Sequence, residues 1–279
     1  MAIFLALFSS ALWGSADFQG GRLAKRYNPL AVTGVSQAIG LTFGLFLVVV
    51  SGQWHAAAFG EHGYLIPGVL AGVAGYFGLN CLYAGLASGR MGVVSPISSL
   101  GALVPLTIAL VGGETLNLTQ RIGITLALVG AFCASGPEIS QGLPLRSLLY
   151  AVGAACGFGA GLTLMARGSI GSALMTMVTM RASTLIFSVI YVARTRSMGG
   201  FAKKDFLGLA FMGLADFSAN LLIGIASTHG LVSVVMVLGS LFPIATAVLA
   251  FEILHERLHF IQYIGVILAV GGVAVISAG

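Results

Sequence analysis

The hexapeptide Leu100-Gly-Ala-Leu-Val-Pro105 returns 138 residues later as Leu238-Gly-Ser-Leu-Phe-Pro243. Each copy is followed by a glutamate nine residues after its proline, Glu114 in the first and Glu252 in the second. Self-similarity at a fixed offset is the signature of internal duplication. The sequence therefore predicts two copies of one structural unit, each about half of the chain.

The composition indicates what kind of unit was duplicated. Of the 279 residues 58% are hydrophobic and 8% are charged, and the mean hydropathy is +1.03. A soluble domain keeps roughly 25% charged residues. The apolar surface must therefore face lipid, so the bilayer is the expected partner. The bases form no clustered face, which excludes nucleic-acid binding.

Apolar windows of about 20 residues mark candidate membrane spans. We predict ten of them, five in a first half (1–136) and five in a second half (145–279), with a polar linker at 137–144. The predicted spans lie near residues 2–22, 30–51, 64–87, 92–112, 118–136, 145–166, 171–193, 205–228, 231–251 and 259–278.

Five spans are an odd number, so the second half must cross the bilayer in the opposite sense to the first. The predicted fold is an all-α membrane protein with ten transmembrane helices arranged as two inverted five-helix repeats. This architecture is typical of secondary transporters, which bind substrate near the midplane between the halves. It implies alternating access.

The basic residues favour one orientation. Ten of the thirteen lie near the loops that follow odd-numbered spans. Because Lys and Arg concentrate on the cytoplasmic side, this count places both termini outside.

The chain resembles the EamA-type ten-helix transporters of the drug/metabolite transporter superfamily. The resemblance rests on Ala11-Leu-Trp-Gly-Ser15, on a proline in the fourth and ninth spans, on the glutamate after each, and on Gly123 and Gly265 in the following spans. It implies export or exchange of small metabolites, amino acids or drug-like compounds. It also implies cytoplasmic termini, which is the opposite of the charge count.

Three charged residues fall inside predicted spans: Asp17, Arg181 and Asp216. Charges within a membrane are costly, so each is a functional candidate. A desolvated carboxylate can carry a proton across or bind a substrate amine. The structural alternative pairs Asp216 with Arg181 and lets Asp17 reach the interface near Arg22.

Other polar side chains are candidates for lining a cavity. Tyr76, Asn80 and Tyr83 are four and three residues apart and share one helical face, as do Asp216 and Asn220. Trp13 adds an aromatic surface. The alternative for these residues is simple hydrogen bonding between helices.

The duplicated prolines and glutamates are candidates for gating. Pro105 and Pro243 interrupt the helical hydrogen-bond ladder inside a span, which suits a moving gate but also occurs in static bundles. Glu114 and Glu252 follow spans four and nine on opposite membrane faces. There each is expected to cap the amino end of the next helix.

One motif favours a different class of protein. His255-Glu-Arg-Leu-His259 fits H-E-x-x-H, in which two histidines bind zinc and the intervening Glu256 activates water. The motif lies at the turn between spans nine and ten and has no evident third ligand. An intramembrane zinc hydrolase is therefore the alternative hypothesis.

The sequence thus favours a monomeric secondary transporter of the plasma membrane, with no enzyme activity, metal or cofactor. It is expected to export a small organic solute by alternating access. Protons are the best candidate for the coupling ion, because Asp17 and Asp216 are the acids found within spans.

Overall fold

A computed structural model describes residues 1–87, 97–135, 145–254 and 259–278. All regular structure within these ranges is helical, and they contain no strand. The predicted linker at 137–144 and the residues His255 and Glu256 lie outside the described part.

The described residues form the following α-helices, numbered in chain order. They are α1 (Ala2–Ala24), α2 (Pro29–Ser51), α3 (Leu65–Ala87), α4 (Leu103–Val111), α5 (Leu118–Ala134), α6 (Leu145–Thr195), α7 (Phe206–His229), α8 (Val232–Gly239), α9 (Phe242–Leu254) and α10 (Phe260–Ala278). Single 3₁₀ turns lie at Gln53–His55, Leu100–Ala102 and Lys203–Asp205.

Six helical stretches in the described residues are long and apolar enough to cross a membrane. Two shorter apolar helices, Ile97–Val111 and Leu118–Ala134, add to them. The protein is therefore a multi-pass, all-helical membrane protein. The six stretches are Pro29–Ser51, Leu65–Leu82, Leu145–Thr195, Lys203–His229, Val232–Ile253 and Phe260–Ala278.

Helix α6 is a hairpin, although its helical hydrogen bonding runs on for 51 residues. Its backbone leaves helical geometry at Ser172, where φ is −164° and ψ is 115°. Segment 176–183 runs parallel to α3, against 68–72, whereas segment 157–161 runs antiparallel to α3, against 75–78. The chain therefore reverses at Ser172. The sequence prediction of two spans separated by a loop is corrected in one respect: a single residue makes the turn.

The two proline-containing segments are broken in the same way. A 3₁₀ turn precedes α4, and Ser240 and Leu241 separate α8 from α9. Pro105 is the third residue of α4 and Pro243 the second residue of α9. Proline lacks the N–H needed inside a helix but fits its first turn, where that N–H has no partner. Each break therefore lies just before the proline.

The two halves interlock instead of lying side by side. Helix α1 packs on α9, where a side chain at Gly14 would come within 2.5 Å of the Phe242 carbonyl. Helix α5 packs on α10 in a similar way, because a side chain at Gly123 would lie 2.8 Å from the Gly272 carbonyl. Small residues allow such close helix approach in membranes.

The two ends of the bundle are named here by α1. At the Ala2 face, where α1 begins, Gly230 lies against Ala2 just before α8 starts. At the Ala24 face, where α1 ends, the Tyr27 hydroxyl donates a hydrogen bond of 2.7 Å to Oδ2 of Asp205, before α7. Each face is therefore built from both halves of the chain.

Candidate functional site between the two halves

A buried ion pair forms the centre of the site. Nη2 of Arg181, on the second arm of α6, lies 2.7 Å from Oδ2 of Asp216 on α7. The Arg181 side chain is 5% exposed and the Asp216 side chain 25%. A charge with so little access to water needs a partner of opposite sign. The two side chains therefore neutralise each other within the bundle.

Four side chains donate hydrogen bonds to the Asp216 carboxylate. Arg181 and Gln37 donate to Oδ2 at 2.7 and 3.2 Å, while Trp13 and Asn220 donate to Oδ1, both at 3.2 Å. A carboxylate has about four lone-pair positions. The carboxylate of Asp216 is therefore fully occupied, and its donors come from α1, α2, α6 and α7 itself.

Gln37 is the member of this cluster that sequence reasoning missed. Its amide oxygen accepts a 2.7 Å hydrogen bond from Nη1 of Arg181, and its amide nitrogen donates to Asp216. It therefore holds both members of the ion pair from the opposite half of the chain. A polar residue within the apolar α2 was the available signal.

Asp17 has very different surroundings. It is exposed, and no hydrogen bond or ion pair to it is found among the residues that the structure describes. Arg22, near which the structural alternative placed Asp17, donates to Gln19 and lies 5.8 Å from the Phe18 ring. Asp17 is thus an acid without a counter-charge in the described part of the chain.

The exposed side of Asp17 is the inner side of α1. With 3.6 residues per turn, Asp17 points about 140° to 180° away from Phe4 and Phe8, which are 70% and 49% exposed. Those phenylalanines mark the lipid-facing side. Asp17 therefore faces the interior of the bundle and not the lipid.

On the inner side of α1, residues are buried between Asp17 and the Ala2 face and exposed between Asp17 and the Ala24 face. Ser10 and Ala6, about two and three turns towards the Ala2 face, are 5% and 0% exposed. Gly21, one turn towards the Ala24 face, is exposed, and a side chain there would meet no described atom within 4 Å. Among the described residues, the space around Asp17 therefore opens towards the Ala24 face.

The remaining cavity candidates lie apart from this cluster. The Tyr76 ring stacks on Phe187 with centroids 4.7 Å apart, and Asn80 donates to the backbone oxygen of Tyr76 at 2.8 Å. No hydrogen bond links these two side chains to Asp17 or Asp216 within the described ranges. The Tyr83 side chain is outside the described part.

Glu114 joins the two halves at the Ala2 face. Its carboxylate accepts hydrogen bonds from the N–H groups of Val232 and Ser233, at 2.8 and 3.1 Å, and from the Ser233 hydroxyl at 2.6 Å. It caps the start of α8, whose free N–H groups favour a negative charge.

The expected target of the Glu114 cap was therefore wrong. The next helix, α5, is capped by Asn117, which forms a capping box with Gln120. Because Asn117 and Gln120 already cap the amino end of α5, Glu114 is not needed there. Its carboxylate instead contacts the other half of the chain. Glu252, the counterpart in the second copy, is exposed.

The zinc alternative finds no support in the described residues. They contain no group of three or more His, Cys, Asp or Glu side chains that is placed to hold a metal ion. His255 and Glu256 are outside the described part, and the backbone N–H of His259 donates to the side chain of Gln262 at 2.9 Å.

The interlocked halves and the polar cluster that they share define a multi-pass membrane protein of the transporter type. The chain belongs to the EamA-like transporter family, whose sequence profile matches residues 1–136 and 145–278. This confirms the resemblance to the drug/metabolite transporter superfamily. Members of the family are transporters and not enzymes.

Two further similarities extend this result. An uncharacterized protein of Methanocaldococcus jannaschii is 26% identical over 135 residues, which cover 96% of that protein and 48% of this chain. That relative therefore has about the length of one repeat. A protein of known crystal structure matches with a TM-score of 0.79 over 99% of this chain and 96% of its own. At 17% identity, this likeness concerns the fold alone.

Proposed function

We propose that this protein is a proton-coupled exporter of small organic solutes in the plasma membrane. Ten spans in two inverted five-helix repeats would provide alternating access to a site between the halves. Small metabolites, amino acids and drug-like compounds are the substrate range, and the transporter works as a monomer.

The directions of two equivalent helices support the inversion. Helix α4 leads to Glu114, which contacts the start of α8 at the Ala2 face. Helix α9, the equivalent helix of the second copy, passes Gly14 of α1 and ends at the Ala24 face. Equivalent helices that run in opposite directions are what an inverted repeat requires.

The surroundings of the intramembrane charges favour Asp17 as the proton carrier. Nη2 of Arg181 lies 2.7 Å from Oδ2 of Asp216, and four side-chain donors occupy the Asp216 carboxylate. Asp17 faces the interior without a counter-charge among the described residues. Protonation of Asp17 would change the net charge of the bundle interior. The unpaired, inward-facing position of Asp17 is the observation that carries the proposal.

The two faces support alternating access. At the Ala2 face, Glu114 joins the halves through α8. At the Ala24 face, Glu252 is exposed, and no described atom would lie within 4 Å of a side chain at Gly21, one turn from Asp17. One closed end and one open end are expected of a transporter in one of its two end states.

Flux measurements in proteoliposomes test the proposal. The purified protein is reconstituted with a pH-sensitive dye inside the vesicles and screened with a library of amino acids and small metabolites. We expect at least one solute to drive proton movement with the wild-type protein, and Asp17→Asn to abolish that movement. Glu61→Gln, which removes an exposed acid outside the helices, is the matched control and should leave it unchanged.

A second measurement separates coupling from transport. Exchange of labelled for unlabelled solute, without a pH gradient, is expected to persist in Asp17→Asn, because coupling is lost but the pathway remains. Solute-driven proton movement that persists in Asp17→Asn would overturn the assignment of coupling to Asp17. The absence of flux for every solute would contradict the exporter proposal itself.

A further inference from the structure

We infer that the solute site beside Asp17 selects organic cations, and that Trp13 forms its aromatic wall. This inference rests on the proposed transport function and adds the charge class of the substrate. It follows from which charged groups of the bundle are free to meet a solute.

The positive charge inside the bundle is not available to a solute. Arg181 is 5% exposed and donates to Oε1 of Gln37 at 2.7 Å, to Oδ2 of Asp216 at 2.7 Å and to the Asp216 carbonyl at 3.5 Å. Binding a carboxylate or phosphate there would require breaking this set of hydrogen bonds. The described interior therefore has no free receptor for an anion.

Among the described residues of the bundle interior, the negative charge that remains is Asp17. The Asp216 carboxylate is saturated by its four donors, whereas Asp17 is exposed on the inner side of α1. An unpaired carboxylate in surroundings less polar than water attracts a cation more strongly than it does in water. A neutral solute gains nothing from it, and an anion is repelled.

An aromatic surface lies next to this carboxylate. Trp13 is four residues before Asp17, so their Cβ atoms lie roughly 5–6 Å apart on one side of α1. The Trp13 indole donates to Asp216 at 3.2 Å and packs edge to face with Phe242 at 6.4 Å, so its orientation is fixed. Aromatic faces attract quaternary and primary ammonium groups. A carboxylate beside a fixed indole suits a hydrophobic monocation.

The two tryptophans of the chain allow a direct binding assay. Trp54, the second one, is 55% exposed near the Ala2 face, and Trp54→Phe leaves Trp13 as the sole indole fluorophore. Three probes of similar size are titrated in detergent without any gradient. They are benzyltrimethylammonium, its neutral carbon isostere neopentylbenzene, and phenylacetate.

The expected result is a saturable change in Trp13 fluorescence with benzyltrimethylammonium, at least about tenfold tighter than with either other probe. Asp17→Asn should weaken cation binding by about the same factor, whereas Asp17→Glu and the control Glu61→Gln should retain it. Equal affinity for the cation and its isostere in the otherwise wild-type chain would overturn the inference without relying on a variant. Unchanged cation affinity in a folded Asp17→Asn protein would overturn it as well.

This binding assay is independent of the flux assay. Saturable cation binding without proton movement would contradict the proposed proton coupling. It would still support the inference that the site selects organic cations. Flux of neutral solutes alone, without cation binding, would support the proposed export function. It would overturn the inference that the site selects organic cations.

Discussion

The same tripeptide, Ala-Asp-Phe, occurs in α1 and in α7 with opposite results. The residues that flank the two acids are alike: Ala16 and Phe18 are 2% and 8% exposed, and Ala215 and Phe217 are 5% and 0% exposed. Yet Asp216 receives four side-chain hydrogen bonds, and Asp17 receives none from the described residues. The role of an intramembrane acid is therefore set by the helices packed around it and not by its local sequence.

Of the changes that test this contrast, removing the counter-charge of Asp216 should have the largest effect on the stability of the protein. Arg181→Ala makes Asp216 an unpaired acid like Asp17, but one enclosed by α1, α2 and α7. Leaving one member of a buried ion pair uncompensated typically costs about 3–5 kcal/mol. We expect a large fall in the melting temperature of the detergent-solubilised protein. Arg167→Ala removes an exposed arginine of the same helix and should change it little.

The paired glutamates extend the comparison to the two membrane faces. Glu114→Gln keeps one acceptor oxygen but removes the negative charge from the start of α8, so we expect a loss of about 0.5–2 kcal/mol. Glu252→Gln at the equivalent, exposed position should cost much less. Thermal unfolding of the two variants under identical conditions measures the difference. Equal destabilisation would contradict the asymmetry between the faces.

A smaller effect is expected from removing one donor to Asp216. Trp13→Phe keeps an aromatic ring against Phe242 but deletes the 3.2 Å hydrogen bond, which typically contributes about 0.5–1.5 kcal/mol. Gln37→Leu deletes a donor and an acceptor at once and should cost more. If Trp13→Phe were the more destabilising of the two, the assignment of Gln37 as the bridge between Arg181 and Asp216 would be wrong.

The smallest effect on stability should come from Asp17→Asn. Because the described structure gives Asp17 no partner, its replacement should stay within about 0.5 kcal/mol of the wild-type stability. Its expected consequence is functional instead, in the flux and cation-binding assays. A strongly destabilised Asp17→Asn protein would show that the acid has a structural role like that of Asp216.

Much of the fold follows from the sequence because its determinants are local. Runs of apolar residues locate the helices, and the duplicated hexapeptides mark the two breaks before Pro105 and Pro243. Asn117 and Gln120 specify the start of α5 within four residues of sequence. Such signals need no knowledge of which helices are neighbours.

The site is harder to predict because its contacts join distant parts of the chain. Gln37 and Arg181 are 144 residues apart, and Glu114 and Val232 are 118 apart. The spacing rules for a single helix locate Asp216 and Asn220 on one face but cannot say that Trp13 meets them. Glutamate as a capping residue was predictable, whereas the helix that it caps depends on the tertiary packing.

The turn at Ser172 has a consequence for how the protein enters the membrane. The two arms of α6 are joined by one extended residue, and the N–H of Met175 is held by the Ser172 hydroxyl at 3.2 Å. The turn therefore contains no polar loop that would let the first arm cross the bilayer before the second arm enters it. We expect the two arms to be inserted together during synthesis, as one preformed helical hairpin. Lengthening this turn should therefore impair expression more than lengthening the connection at 197–202.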